Sequence, residues 1–267
     1  MRNLKVMLIG WGAIGARVAG LLAERDAPVT ICAVGLRDAG TPRAGLSPAI
    51  PILTQPEGLA AFAPDLVVEA AGRSAVLPWG RAALASEADF APASMSAFAD
   101  GAALDELLAL ARRHGSQILV PPGALGGIDA LAAAARLPLT SVIHEITKPP
   151  AAWAGTPAER LCPLSHLTAP HCFFEGSAQV AARDFPQNAN VAVTTALAGL
   201  GPEHTTIRLI ADPHAQLNRH RVVAEGAFGR LDITLDNQPL AGNPKSSELT
   251  ALSLVRLIEN RAAPLVI

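Results

Sequence analysis

A short glycine-rich segment near the start of the chain has the residue types and spacing of a phosphate-binding loop. It follows the apolar run Lys5–Ile9 and opens a stretch with helical periodicity. In such a turn the first glycine permits a tight bend, the second lets a pyrophosphate approach the backbone, and the third lets helix and strand pack closely. Free N–H groups at the helix N-terminus then favour an anion. The predicted cofactor-binding residues here are Gly10, Gly12, Ala13, Ile14 and Gly15; the alternative is a glycine turn that binds nothing.

The residues that usually decide between NAD and NADP are ambiguous in this chain. An acidic residue about 20 positions beyond the loop ordinarily binds the adenine ribose. Here the predicted strand Val29–Val34 is followed by Gly35, and Arg37 lies nearby. Arg37 either pairs with the 2′-phosphate of NADP or is an exposed loop charge. The predicted cofactor is therefore NAD or NADP.

The glycine loop needs a parallel sheet and helices around it, and the first half of the chain has that pattern. Apolar runs alternate with segments of helical periodicity, which is typical of an α/β fold. The predicted strands are Lys5–Ile9, Val29–Val34, Asp65–Val68 and Ile118–Val120, and the predicted helices are Ala13–Glu24, Ala75–Ala85 and Ala102–Arg113. We therefore predict a doubly wound, dinucleotide-binding Rossmann domain over residues 1–121.

The second half has a different pattern. One helix is predicted at Ile128–Arg136, and the predicted strands are Ser141–Thr147, Thr205–Ala211, His220–Glu225 and Leu231–Asp236. Few helices separate the last three strands, which indicates a second, α+β domain with a mainly antiparallel sheet. We assign residues 122–246 to substrate binding, catalysis and dimerisation. Residues 247–267 are predicted to form a C-terminal helix that packs back on the Rossmann domain.

Composition and charge exclude several classes of protein. Hydrophobic residues make up 50% of the 267 residues and charged residues 16%, so a disordered chain is not expected. The formal net charge is -2 and the charges are scattered, which argues against nucleic acid or a membrane surface as a partner. No apolar run reaches the ~18 residues of a spanning helix. Cys32, Cys162 and Cys172 lack metal-ligand spacing, so we expect reduced thiols and no metal site. The apolar run Lys5–Ile9 is too short for a signal peptide, so we expect a cytoplasmic location.

Several polar and glycine-rich segments of the chain resemble the aspartate dehydrogenase family. They occur in the expected order and, with the glycine loop, extend over nearly the whole sequence. The segments are Glu69-Ala70-Ala71-Gly72, Pro122-Gly123-Ala124-Leu125-Gly126-Gly127-Ile128-Asp129-Ala130-Leu131, Phe185-Pro186-Gln187-Asn188-Ala189-Asn190-Val191, Ala211-Asp212-Pro213-His214 with Asn218-Arg219-His220, and Asn243-Pro244-Lys245-Ser246-Ser247. The resemblance implies an NAD(P) enzyme that reversibly oxidises L-aspartate to iminoaspartate, which hydrolyses to oxaloacetate and ammonia. In some organisms such enzymes supply iminoaspartate for NAD biosynthesis.

The resemblance also implies roles for particular residues. His220 corresponds to the catalytic residue, Ala124 and Asn190 to nicotinamide contacts, and Ala71 and Gly72 to further cofactor contacts. A neutral imidazole suits His220, because its ordinary pKa of about 6.5 lets it accept the proton of the substrate ammonium near neutral pH. Judged from the residues alone, His204 and His214 are competing histidines.

A substrate with two carboxylates predicts cations and polar groups in its pocket. We assign Lys245, Ser246, Asn188 and Asn218 to substrate binding, and Asn218 could instead orient His220. Two simpler interpretations stay open. Asn188 or Asn190 could cap a helix that begins there, and Ser246 or Ser247 could cap the final helix.

The chain departs from the family pattern in two segments near the expected nicotinamide pocket. It has Met95 and Ser96 where relatives commonly have Val-Gly, and Pro122 where a serine is more familiar. These changes leave the substrate range open. Two other functions compete: a dihydrodipicolinate-reductase-like enzyme acting on another dicarboxylate, and a non-catalytic dinucleotide sensor. A homodimer is expected, since symmetric dimers are the commonest soluble oligomers.

Overall fold

The chain forms two compact units. The computed structural model describes residues 3–267, apart from the side chains of Pro244 and Lys245. The first unit comprises the residues up to Gly123 together with Thr250–Ile267, and the second comprises Ala124–Leu249. No helix in this described part of the chain has the length and apolar character to cross a membrane.

The first unit is a parallel sheet with helices, as predicted. Its five strands lie in the order β3-β2-β1-β4-β5, all paired in parallel. The strands are β1 (Leu4–Ile9), β2 (Val29–Gly35), β3 (Ile52–Leu53), β4 (Leu66–Glu69) and β5 (Asp89–Pro92). The helices are α1 (Ala13–Glu24), α2 (Arg73–Ala85) and α3 (Ala102–His114). Every residue of β4 and β5 is buried, as expected for strands covered on both faces.

Helix α7 (Glu248–Ala262) completes the core of the first unit. Its Leu254, Val255 and Ile258 are buried in the same cluster as Val18 and Leu22 of α1. Each such side chain contributes about 1.5–3 kcal/mol on burial, so this helix is held by its apolar face.

One predicted strand of the first unit is wrong. The segment Ile118–Val120 forms only an isolated parallel bridge, between Ile118 and Phe90 of β5. The pairing is brief because the segment runs directly into Pro121 and Pro122, which have no N–H to donate.

The second unit contains a five-stranded mixed sheet in the order β10-β9-β6-β8-β7. Three of its four strand pairs are antiparallel and β6 with β8 is parallel, which confirms a mainly antiparallel sheet. The strands are β6 (Leu139–Lys148), β7 (His171–Ser177), β8 (Thr206–Ala211), β9 (Asn218–Gly226) and β10 (Gly229–Asn237). The helices are α4 (Ile128–Ala134), α5 (Ala178–Asp184) and α6 (Ala189–Ala198). A small hairpin of β11 (Pro239–Leu240) and β12 (Asn243–Ser247) precedes α7.

Burial along β6 alternates with the period of a strand. Val142, His144 and Ile146 are buried, while the residues between them are partly exposed. Successive side chains of a strand point to opposite faces, so His144 and Lys148 share the face of Ile146. Two ionisable groups therefore lie on the inner face of this sheet.

Candidate active site

The glycine loop of the first unit has the geometry of a pyrophosphate cradle. Gly10 has a φ of 96°, and a Cβ on it would lie 2.8 Å from the Ala70 carbonyl oxygen. A Cβ on Gly15 would overlap the Gly10 carbonyl oxygen, because α1 packs tightly against the end of β1. A Cβ on Gly12, in contrast, would meet nothing within 4 Å. Gly12 is the N-cap of α1, so the open space lies where helix N–H groups can bind an anion. The residues present thus fit a dinucleotide.

A buried carboxylate organises the neighbouring loop. Glu69, at the end of β4, is fully buried, and its Oε1 accepts hydrogen bonds from the N–H groups of Ala71 and Gly72 at 2.7 Å each. Ser94 donates its N–H to Oε2 at 3.1 Å and its hydroxyl to Oε1 at 3.0 Å. Burial raises the pKa of Glu69, and these four donors oppose that rise. Ala71 and Gly72 are therefore held in place by a group within their own unit.

The end of β2 explains the missing acidic residue. A Cβ on Gly35 would lie 2.8 Å from the Ile9 side chain and 2.9 Å from the Trp79 ring. A carboxylate at this position is excluded by that packing. Arg37, two residues further, is exposed.

His220 occupies a buried position on β9, opposite Ile146 of β6. It is 6% exposed, and its Nδ1 lies 3.1 Å from Nε2 of the fully buried His144. Burial is the main cause that lowers the pKa of His220 well below its usual value, and His144 and Lys148 lower it further. Burial also lowers the pKa of His144 to about 3. Both imidazoles are therefore neutral at pH 7.

Lys148 is a further ionisable group on the same face of β6. Its Nζ donates to Oδ1 of Asn188 at 2.7 Å and lies 5.1 Å from the centroid of the Trp153 ring. Burial lowers the pKa of Lys148 to about 8. Asn188 precedes α6 but its side chain makes no cap hydrogen bond, so the capping interpretation is wrong for this residue.

Ala124 and Asn218, two further predicted site residues, both lie beside Asn237 at the end of β10. Asn237 is buried and donates its Nδ2 to the Ala124 carbonyl oxygen at 2.9 Å. In the strand register Asn237 lies opposite Asn218, which begins β9 two residues before His220. The Ala124 segment is thus tied to the end of the sheet where His220 lies. Asn190 is the second residue of α6.

The last predicted group of polar residues lies in β12. Ser246 accepts a hydrogen bond from Nδ2 of Asn243 at 3.1 Å, and Ser247 accepts one from the Leu249 N–H at 3.2 Å, which fits the interpretation of Ser247 as a helix cap. The Lys245 side chain lies outside the described residues. The competing histidines His204 and His214 are exposed.

Sequence reasoning missed His144, Lys148 and Thr195. Thr195 is fully buried in α6, and its Oγ1 lies 2.9 Å from Nδ1 of His144. A partial signal was present, because His144 lies on the predicted strand Ser141–Thr147 and Lys148 follows directly after it, four residues from His144; the structure extends this strand to Lys148, so the two share a face. Nothing in the sequence identified the strand or helix that faces them.

The two units together contain the parts of an NAD(P)-dependent oxidoreductase: a Rossmann sheet with an open glycine loop, and a second sheet with a buried neutral histidine beside a lysine. Residues 10–121 match the family described as homoserine dehydrogenase, NAD binding domain, and residues 129–261 match the family described as aspartate dehydrogenase, C-terminal.

Whole-chain comparisons agree with these matches. The L-aspartate dehydrogenase of Brucella anthropi is 54% identical, over 98% of this chain and 98% of its own. That of a Polaromonas species is 45% identical, over 99% of this chain and 100% of its own. The crystal structure of aspartate dehydrogenase from Thermotoga maritima has the same fold, with a TM-score of 0.80 at 24% identity and full coverage of both chains. The chain belongs to the aspartate dehydrogenase family, which confirms the resemblance noted in its sequence.

Proposed function

We propose that this protein catalyses the reversible NAD(P)-dependent oxidative deamination of L-aspartate to iminoaspartate, which hydrolyses to oxaloacetate and ammonia. The observation that carries the proposal is the buried, neutral His220 beside Lys148, in a chain that is 54% identical to an L-aspartate dehydrogenase. Iminoaspartate released in this direction can supply NAD biosynthesis.

His220 acts as the base. The amine of aspartate must lose a proton before its nitrogen can form an imine, and an imidazole can accept that proton only when it is neutral. Because burial lowers the pKa of His220 well below its usual value, the imidazole is neutral throughout the physiological range. When bound, NAD(P)+ would supply the hydride acceptor for the substrate Cα.

Lys148 provides positive charge for a substrate carboxylate. With a pKa of about 8, roughly nine-tenths of this side chain is protonated at pH 7. Its partners, the Asn188 amide oxygen and the Trp153 ring, are neutral, so the charge remains available to an anion. Asn188 holds the ammonium in position and can itself contact the substrate. Asn218, Ser246 and Lys245 remain proposed substrate contacts.

The cofactor is NAD or NADP. The glycine loop and the adjoining loop of the first unit hold it through Gly10, Gly12, Ala13, Ile14, Gly15, Ala71 and Gly72. Ala124 and Asn190 are proposed nicotinamide contacts by similarity to the family. The absence of an acidic side chain at Gly35 and the exposure of Arg37 favour an enzyme that accepts both cofactors.

The deciding experiment follows NAD+ and NADP+ reduction at the nicotinamide absorbance, with L-aspartate and a panel of other amino acids. We expect aspartate-dependent turnover that is lost in His220→Ala, while NADH binding persists. His204→Ala is the matched control, because that histidine is exposed. Lys148→Met should lower kcat/KM for aspartate by about 10- to 150-fold, the loss of one hydrogen bond to a charged group.

Other outcomes of this assay would replace the proposal. NADH binding without turnover on any amino acid indicates a dinucleotide sensor. Turnover of another dicarboxylate, with none of aspartate, indicates a reductase of the dihydrodipicolinate type. Unchanged turnover in His220→Ala removes that residue from the chemistry.

We also propose that the protein forms a homodimer through its second unit and that it is cytoplasmic. The sheet face opposite His144 carries cross-strand ion pairs of Arg221 with Glu145 and Asp232, which can be matched by a second copy of the same face. All three cysteines are free thiols, consistent with a reducing compartment. Light scattering on the purified protein should give twice the chain mass; the mass of a single chain would reject the dimer.

A further inference from the structure

A chain of three hydrogen bonds runs behind His220. The Thr195 hydroxyl donates to the Val191 carbonyl oxygen at 3.1 Å, four residues earlier in α6. The same Oγ1 lies 2.9 Å from Nδ1 of His144, and Nε2 of His144 lies 3.1 Å from Nδ1 of His220. Thr195 and His144 are fully buried and His220 nearly so, so water does not complete these contacts.

The hydroxyl of Thr195 determines which atom donates in the hydrogen bond between Thr195 and His144 and in the one between His144 and His220. It has one hydrogen, and that hydrogen is donated to Val191, so Oγ1 can only accept from His144. Nδ1 of His144 therefore carries a proton. A neutral imidazole has a single N–H, which leaves Nε2 of His144 as an acceptor. Nδ1 of His220 must then be the donor, and the lone pair of His220 lies on Nε2.

We propose that His144 and Thr195 are positioning residues that hold His220 in the tautomer with its proton on Nδ1, so that Nε2 is the base for the substrate ammonium. This inference rests on the proposed role of His220. In the opposite tautomer Nε2 carries a hydrogen and can accept no proton from the substrate.

The group hydrogen-bonded to Nδ1 of His220 is the neutral imidazole of His144 and not a carboxylate. A carboxylate in this position would stabilise the imidazolium and raise its pKa. The titratable groups that act on His220 are His144 and Lys148, both on β6, and neither is an anion. The proton that His220 accepts is therefore weakly held and easily passed on.

The test reads the tautomer directly. Ring-15N-histidine labelling of the full-length protein distinguishes a protonated from an unprotonated ring nitrogen, and His220→Asn identifies the signals of His220. We expect protonated Nδ1 and bare Nε2 in the wild type. Thr195→Val should reverse this pattern, because His144 loses its acceptor at Nδ1 and is free to donate from Nε2. Thr195→Ser should restore the wild-type tautomer.

The matched control is Thr205→Val. The Thr205 hydroxyl is also buried, but it has no hydrogen-bond partner among the described residues, so its removal should leave the tautomer of His220 unchanged. In turnover assays Thr195→Val should lower kcat by about 10- to 100-fold with little change in the KM for the cofactor, the size of a partly lost general base. Circular dichroism and melting temperature verify that both variants fold.

The outcomes separate this inference from the proposed function. A protonated Nε2 on wild-type His220 would overturn the proposed tautomer even if His220→Ala abolishes aspartate turnover. The expected tautomer in a protein that oxidises no amino acid would support the positioning role of His144 and Thr195 and reject the role of His220 as a base. An unchanged tautomer in Thr195→Val would show that Thr195 does not determine which ring nitrogen of His220 is protonated.

Discussion

Gly12, the N-cap of α1, and Gly15 and Gly20 within that helix give a sharp test of the dinucleotide loop, because the same Gly→Ala change meets three different surroundings. A Cβ on Gly20 has its nearest neighbour 4.0 Å away, at the Glu24 carboxylate. Alanine there gains helix propensity and should stabilise the fold by about 1 kcal/mol. A Cβ on Gly15 overlaps the Gly10 carbonyl, and overpacking of this kind costs about 1–3 kcal/mol. A Cβ on Gly12 meets open space, and alanine is a slightly poorer N-cap residue than glycine, which should cost about 1 kcal/mol of stability or less.

The expected results differ between stability and binding. Gly15→Ala should melt about 4–16 °C below Gly20→Ala, since the two variants differ by about 2–4 kcal/mol and 1 kcal/mol corresponds to about 2–4 °C for a chain of this size. Gly12→Ala should melt close to the wild type. Its methyl group would fill the open space where we expect the pyrophosphate, and loss of one charged hydrogen bond, about 1.5–3 kcal/mol, should weaken cofactor binding about 10- to 150-fold.

The assays are thermal denaturation and titration of NADH fluorescence on the same three variants, with Gly20→Ala as the control that should bind like the wild type. Wild-type NADH affinity in Gly12→Ala would refute the placement of the pyrophosphate at this loop. Equal melting temperatures for Gly15→Ala and Gly20→Ala would refute the steric role of the third glycine.

Three further changes test single features of the units. Glu69→Gln places an amide N–H against the backbone N–H of Ser94, which now donates to the Glu69 carboxylate. The substitution should therefore lower the free energy of unfolding by about 1–3 kcal/mol in urea denaturation. An unchanged free energy of unfolding would mean that Glu69 is protonated in the folded protein. Thr205→Val removes a buried hydroxyl that has no hydrogen-bond partner in the described part of the chain. The substitution should stabilise the protein by about 1 kcal/mol in the same assay, whereas a loss of stability would indicate an unrecognised partner. The hydrogen bond from Arg221 lowers the pKa of Asp232 from 3.8 to about 2. The contribution of this ion pair to stability is therefore present above pH about 4 and is lost as the pH falls toward 2. NMR titration of the Asp232 carboxyl should give the lowered pKa, and an ordinary pKa would contradict the ion pair.

The sequence by itself determined those parts of the protein whose causes are local. The Gly10–Gly15 segment lies between a strand and a helix that are adjacent in the chain, and α1 has the predicted bounds Ala13–Glu24. Apolar alternation likewise predicted the α/β class and a mainly antiparallel second sheet, because these patterns reflect which face of each element is buried. The short strands β3 and β5 were not predicted, since a strand of two to four residues carries little periodic signal.

Only the tertiary structure decided what surrounds His220. His144 is 76 residues from it and Thr195 is 51 residues from His144, and the three meet through the register of β6 with β9 and the packing of α6 on that sheet. Asn188 shows the same limit, because its residue type suited a helix cap while its side chain bonds Lys148. A strand's alternation says which side chains share a face, but the partner strand and its register depend on contacts far apart in the chain. The register of β6 with β9 brings His144 against His220, so this contact could not be predicted from the local sequence around either histidine.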